Sequence, residues 1–167
     1  MAAVTAYDPA EWSDLCVATA GASAALAGLV FVAVSINLER ILEFAGLPER
    51  ALQTLLLLLG VVVVSIIGLI PGQSDTALGA ELLAAGLIVL AAIAALSRKI
   101  VFPDDAPPSW ALSRYAVLAI GTVPIIVGGA SVMATSGGGL YWIVAGIVGA
   151  LAGGVANAWV LLVEILR

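Results

Sequence analysis

The sequence predicts an all-α membrane protein, a polytopic bundle of five transmembrane helices with its N-terminus outside and its C-terminus in the cytoplasm. Three observations lead to this fold class. Of the 167 residues, 63% are hydrophobic and only 10% are charged, whereas soluble domains carry roughly 25% charged residues. Five apolar stretches are long enough to cross a bilayer. If all five cross, every Lys and Arg falls on one side of the membrane.

Each apolar stretch is close to the ~20 residues that an α-helix needs to cross a hydrocarbon core ~30 Å thick. The stretches lack the alternation of lipid-facing and lumen-facing residues that marks a barrel strand, so we expect helices. They cover residues 15–38, 51–70, 77–97, 115–136 and 140–163. Together they form one membrane-embedded domain over residues 1–167.

The first two helices carry clear boundary signals. Asp8 is a favourable N-cap residue and Pro9 suits the first helical position. We expect the first helix to continue beyond the membrane to about Phe44 and to stop near Gly46. Pro48 then opens the second helix.

Turn residues separate the remaining helices. The Pro-Gly pair at 71–72 ends the second helix, and Ser74 or Asp75 caps the third. Ser109 follows a proline-rich loop and can cap the fourth. The glycines at 137–139 are the only gap between the last two stretches, which are too long together for one crossing. These two stretches are therefore predicted to form a tight hairpin.

The basic residues set the predicted orientation. They lie in the first loop, in the third loop and at the end of the chain: Arg40, Arg50, Arg98, Lys99, Arg114 and Arg167. Loops rich in Lys and Arg stay in the cytoplasm, so the N-terminus is expected outside. Aromatic residues favour the membrane boundaries. Those expected at the outer boundary are Trp12, Tyr141 and Trp142.

The composition lacks the residues that several classes of function require. The chain has no His, the commonest general base and metal ligand. Ser23 lies in a short motif like that of intramembrane serine proteases, but a serine nucleophile needs a base. Cys16 is the only cysteine, and no basic run suits nucleic acid. We therefore expect no catalytic residue, cofactor, metal site or nucleic-acid partner.

Two helices carry stripes of small residues. The candidate packing residues are Gly21, Gly28 and Ser35 on the first helix, and Gly146, Gly149 and Gly153 on the fifth. Each set lies on one helix face at ~100° per residue. Small residues let helix backbones approach closely in lipid. The stripes therefore predict either packing within one subunit or an oligomer interface or pore lining.

Glu81 is the only acid inside an apolar stretch and away from its end. It lies roughly 8 Å beyond Thr76 at 1.5 Å per residue. Acids inside a membrane are costly and are candidates for a role in transport. The alternative is that Glu81 lies among headgroups or protein polar groups near the outer interface.

Further polar residues fall in the inner half of the predicted spans. They are Asn37, Gln53, Asn157 and Glu164. They indicate either hydrogen bonds at helix ends or a polar inner vestibule. Pro124 lies in the middle of the fourth helix and is a candidate hinge, because proline removes one helical hydrogen bond.

Five segments resemble a family of small uncharacterised bacterial multi-span membrane proteins, some of which carry the label modulator of FtsH protease. The segments are 21–42, 47–51, 71–73, 139–142 and 157–167. The resemblance extends over nearly the whole chain and implies a multi-pass protein of the bacterial cytoplasmic membrane. It supplies no functional residues.

The sequence thus favours a small non-enzymatic integral membrane protein. Its expected surroundings are the lipid bilayer, and its expected mode of action is assembly with itself or with a membrane-protein partner. The alternative is a subunit of a small ion channel or transporter whose pathway uses Glu81 or the inner polar residues.

Overall fold

The structure is a computed structural model that describes residues 5–44, 46–98 and 108–166, and these residues form helices and turns without any strand. A single turn of 3-10 helix, Pro9–Trp12, precedes the α-helices. The α-helices are α1 (Ser13–Ile36), α2 (Leu38–Glu43), α3 (Leu47–Gly68), α4 (Asp75–Arg98), α5 (Pro108–Met133) and α6 (Leu140–Leu166).

Four helical segments are long and apolar enough to cross a membrane. They are Pro9–Ile36, Leu47–Gly68, Asp75–Arg98 and Leu140–Leu161. The prediction of an all-helical bundle with long apolar helices is confirmed, and these segments correspond to the first, second, third and fifth predicted spans. Helix α5 is 26 residues long, but the part with described side chains, Ala119–Met133, is shorter than a span. The fourth span stays a prediction.

Two predicted helix caps are present. The carboxylate of Asp8 accepts a hydrogen bond from the backbone N–H of Ala10, 3.0 Å away, at the start of the 3-10 helix. Ser74 lies one residue before α4 begins, and its hydroxyl accepts a hydrogen bond from the backbone N–H of Ala77 at 3.2 Å. Each cap satisfies one of the N–H groups that a helix start leaves without a partner.

The first helix is interrupted, and this part of the prediction was wrong. The backbone leaves helical geometry at Asn37, with φ −108° and ψ 20°. Its side-chain amide donates to the carbonyl of Ala33 at 2.9 Å, so the side chain competes with the backbone for a helical acceptor. The short helix α2 follows and ends at Glu43, close to the predicted stop at Gly46, which has φ 86°.

The core lies between α3, α4, α5 and α6. Helix α5 packs against both α4 and α6, and α3 packs against α1, α4 and α6. The central buried residues are Leu57, Val61, Val64, Leu78, Leu82, Ile93, Ile125, Val132, Leu140, Ile143, Ile147 and Ala150. Helix α1 is peripheral, because it packs mainly on α3 and has only Thr19 and Ser23 buried.

The N-terminal segment covers the turn between α5 and α6. The carbonyl of Ala6 accepts a hydrogen bond from the backbone N–H of Leu140 at 2.8 Å, and the Tyr7 hydroxyl accepts one from that of Gly138 at 3.1 Å. The rings of Trp12 and Tyr141 meet edge to face with centroids 4.8 Å apart. This contact agrees with the prediction that both aromatic residues lie at the same end of the bundle.

Candidate functional site

The small residues of α6 face α5 at very short range. A Cβ built on Gly149 would lie 2.5 Å from the carbonyl oxygen of Ile120, and one on Gly146 would lie 2.5 Å from Cγ1 of Ile125. Gly153 is buried on the same helix. For Gly146 and Gly149 the stripe therefore serves packing within the subunit, which was one of the two predicted roles.

A second close crossing joins α4 to α5. A Cβ on Gly129 would lie 2.6 Å from the backbone nitrogen of Leu83, and one on Gly79 would lie 2.6 Å from the carbonyl oxygen of Gly129. Sequence reasoning missed this pair because each glycine stands outside a stripe. Two glycines that face each other from different helices are visible only once the helices are paired.

The small residues of α1 point away from the bundle. Among the described residues, no atom outside the adjacent turns of α1 lies within 4 Å of a Cβ built on Gly21 or on Gly28, and both residues are exposed. Ser35 is also exposed, and its hydroxyl donates to the carbonyl of Phe31 in its own helix at 2.8 Å. At ~100° per residue these positions lie opposite Thr19, which faces α3. Contacts with the described part of the chain therefore do not account for the α1 stripe.

The face of α1 that packs against α3 makes contact through hydroxyl groups. The hydroxyl oxygens of Thr19 and Ser65 on α3 are 2.9 Å apart and buried, and Thr19 also donates to the carbonyl of Leu15 at 2.8 Å. One turn further along α1, Ser23 is completely buried. Its hydroxyl oxygen has no hydrogen-bond partner among the described residues. The sequence contains no signal that would pair these hydroxyls across two helices.

Glu81 lies on the exposed side of α4, in its second turn. The side-chain amide of Gln73, in the turn between α3 and α4, donates to Oε2 of Glu81 at 2.7 Å. The carboxylate is therefore placed by a protein polar group close to the end of the helix. This contact fits the interface alternative for Glu81, and sequence reasoning did not identify Gln73.

An open apolar groove runs between α3 and α4, and Glu81 is the one charged residue among the described residues that line it. Its volume is about 530 Å³. The other lining residues are Leu56, Leu59, Gly60, Val63, Ile67, Ala84, Ala85, Ile88, Val89 and Ala92. The groove thus combines hydrocarbon walls with one carboxylate at its end.

The inner polar residues do not gather into one cluster in the part of the chain that the structure describes. The amide of Gln53 donates to the hydroxyl of Ser97 at 3.0 Å, and both residues are buried between α3 and α4. Asn37 bonds within its own helix, Asn157 is half-buried on α6, and the side chain of Glu164 lies outside the described residues. Of the inner polar residues with described side chains, Gln53 is the one that links two helices.

The centre of the bundle has little free space. The enclosed space between α3, α4, α5 and α6 is about 10 Å³, lined among others by Gly86, Thr122 and Ala150. This is about the smallest volume that can hold one water molecule. Within the described residues this space provides no room for a continuous file of water through one subunit.

Pro124 lies inside α5, which continues through it from Pro108 to Met133. The glycines on both sides are packed. A Cβ on Gly121 would lie 3.0 Å from Cα of Ala150, and one on Gly128 would lie 2.5 Å from Cδ1 of Ile143. A hinge at Pro124 stays a prediction, and any bending there would have to move α6 as well.

Comparisons of the chain with protein-family models, with curated proteins and with solved structures find no match. The resemblance to the bacterial membrane-protein family therefore stays a prediction. No group of three or more His, Cys, Asp or Glu residues suited to a metal ion occurs among the described residues.

Proposed function

We propose that this chain is a non-enzymatic integral protein of the cytoplasmic membrane that acts by assembly, and that the outward face of α1 is its contact surface. The observation that carries the proposal is the empty space beside Gly21 and Gly28. The partner is a second copy of the chain. A different membrane protein is the alternative partner, and the experiment below distinguishes the two.

The physical argument begins with helix propensity. Glycine inside a helix is roughly 0.8–1.0 kcal/mol less favourable than alanine. On α6, close approach to α5 offsets this cost, but on α1 no contact with the described residues does. A second helix against Gly21, Ala25 and Gly28 would make the missing contacts, because small residues let membrane helices pack closely. Two copies related by a two-fold axis present the same face to each other.

Five crossings with the N-terminus outside form part of the proposal. At 1.5 Å per residue, the 26 residues of α5 extend about 39 Å, enough for a hydrocarbon core. The contact between the N-terminal segment and the α5–α6 turn supports the same arrangement. The chain leaves that end of the bundle along α1, and four further crossings give α6 the same direction as α1. The basic residues then lie on the cytoplasmic side.

The channel alternative has less support. The space at the centre of one subunit is about 10 Å³ and is lined mainly by apolar residues. Glu81 lines an outer groove between α3 and α4 instead. A conduction pathway would therefore have to form between subunits, so it would also require the assembly proposed here.

The assembly proposal is tested by cross-linking in the native membrane. Ala25→Cys in a Cys16→Ala background is expected to form a disulfide-linked dimer upon mild oxidation. Ala145→Cys is the matched control, because Ala145 is equally exposed but lies on α6. A dimer at Ala25 alone supports the proposal. Equal cross-linking at both sites would indicate random collision, and monomers at both would leave a different membrane protein as the partner.

The topology is tested with single cysteines in the same background. A membrane-impermeant thiol reagent applied outside is expected to label Asp75→Cys and Ser136→Cys and to leave Ala106→Cys unlabelled until the membrane is opened. Labelling of Ala106→Cys in intact cells would reverse the orientation. Protection of Ser136→Cys alone would remove the fourth crossing.

A further inference from the structure

We propose that the groove between α3 and α4 binds one phospholipid whose headgroup carries a primary ammonium, with the ammonium at Glu81 and an acyl chain along the groove. Phosphatidylethanolamine has this chemistry. The inference requires the chain to lie in a bilayer but does not depend on assembly through α1, because the groove lies between different helices.

The walls of the groove select hydrocarbon. Apart from Glu81, the lining side chains are aliphatic, and glycine at position 60 widens the groove. Water in such a space would lack the two to four polar partners that it needs. An acyl chain in the groove exchanges dispersion contacts with neighbouring lipids for contacts with these walls, and it needs no polar partner there.

The groove is long enough to hold the start of an acyl chain beyond the headgroup. Along α4 the lining extends from Glu81 to Ala92, which is roughly 17 Å at 1.5 Å per residue. With the ammonium at Glu81, the acyl chain enters the groove beyond the headgroup and follows the aliphatic side chains towards Ala92.

The chemistry at Glu81 selects the headgroup. Its Oε2 already accepts from the amide of Gln73 at 2.7 Å. An ionised carboxylate has about four acceptor sites, so most of its capacity remains. No described residue forms a salt bridge with Glu81. A primary ammonium has three N–H donors and the opposite charge, whereas an anionic headgroup is repelled.

The headgroup is tested by lipid competition. The purified protein is equilibrated in micelles with equimolar phosphatidylethanolamine, phosphatidylcholine and phosphatidylglycerol of one acyl composition, and bound lipid is counted by native mass spectrometry. We expect phosphatidylethanolamine to be retained most. Phosphatidylcholine is the informative competitor, because its ammonium has the charge but no N–H donor.

Glu81→Gln is expected to lower the preference for phosphatidylethanolamine about tenfold, the size that one charge-assisted hydrogen bond provides. Glu11→Gln is the matched control, because Glu11 is an exposed acid in the 3-10 helix outside the groove. An unchanged preference in Glu81→Gln would overturn the assignment of the headgroup.

The acyl-chain site is tested separately with Ala84→Leu, which fills the groove from α4. Ala84 is exposed, so the larger side chain fits without displacing the core. We expect bound lipid to fall while the melting temperature stays unchanged. Ala91→Leu, exposed on the same helix outside the lining, should leave lipid binding intact. If Ala84→Leu instead halves the particle mass and leaves bound lipid unchanged, the groove seats a second copy and the proposal is wrong.

Discussion

The glycines of α1 and those of α5 and α6 have opposite surroundings. Gly21 and Gly28 have no described atom of another helix within 4 Å of a built Cβ, whereas Gly129 and Gly149 would place a Cβ within 3 Å of the backbone of a neighbouring helix. The difference shows that a stripe of small residues identifies a surface suited to close packing without saying what packs there. In α4, α5 and α6 the partner belongs to the same chain, while for α1 the described residues supply no partner and the proposed one is a second copy.

The largest effect is expected where the backbones already touch. Gly149→Leu would force α6 away from Ile120 on α5. Overpacking of this kind typically costs up to about 3 kcal/mol, which for a chain of this size lowers the melting temperature by roughly 6–12 °C. Circular dichroism in detergent measures the shift.

Gly28→Leu is the matched control for that experiment. None of the described residues obstructs the first atom of the new side chain, and leucine is the better helix former. We expect an unchanged or slightly higher melting temperature for the monomer, together with a loss of the Ala25→Cys cross-link. Equal melting losses in Gly28→Leu and Gly149→Leu would remove the distinction between the two stripes.

The presence of the helices was predictable from the sequence, because the length of an apolar stretch and the residues that cap it are local features of the chain. Asp8 and Ser74 cap their helices as predicted, and the Pro-Gly pair at 71–72 lies in the turn after α3. The break at Asn37 was not predicted, because it depends on a side-chain hydrogen bond that competes with the helix. Which glycine meets which helix was not predictable either, since that requires the tertiary arrangement.

The hydrogen bond between α3 and α4 should show the next largest effect on stability. Ser97→Ala removes the hydroxyl that accepts from the buried amide of Gln53. A buried donor that loses one acceptor destabilises a protein by about 1–2 kcal/mol. Equilibrium unfolding in mixed micelles measures this loss. Ser74→Ala, which removes only an exposed cap, is expected to cost less, about 0.5–1 kcal/mol. The reverse order would mean that the Gln53 amide is satisfied without Ser97.

The candidate site was predictable only in part. Glu81 stands out in the sequence because it is the only acid inside an apolar stretch, and the structure places it at the end of a groove. Gln73 carries no such signal, because a polar residue in a turn is ordinary. For the inner polar residues two alternatives were left open, and Asn37 and Gln53 do not form the polar vestibule, because Asn37 donates back to Ala33 in α1 and Gln53 donates to Ser97.

The attachment of α1 to α3 should show a smaller effect. Thr19→Val keeps the shape of the side chain and removes the hydrogen bond to Ser65. Interhelical hydrogen bonds of this kind contribute about 0.6 kcal/mol on average. A double-mutant cycle with Ser65→Ala measures the coupling, which we expect to be near that value. A coupling of zero would show that the two hydroxyls do not interact in the folded protein.

An effect of similar size but opposite sign is expected at Ser23. Ser23 lies four residues after Thr19 on the same face of α1, and its hydroxyl oxygen is buried without a partner among the described residues. A buried hydroxyl without a hydrogen bond is unfavourable, and alanine is the better helix former. Ser23→Ala should therefore raise the free energy of unfolding by about 0.5–1 kcal/mol, while Thr19→Val lowers it. The same micelle unfolding experiment compares both variants. If Ser23→Ala destabilises the protein as Thr19→Val does, the Ser23 hydroxyl has a hydrogen-bond partner in the membrane. The hydroxyl contact between α1 and α3 then includes Ser23 in addition to the Thr19–Ser65 pair.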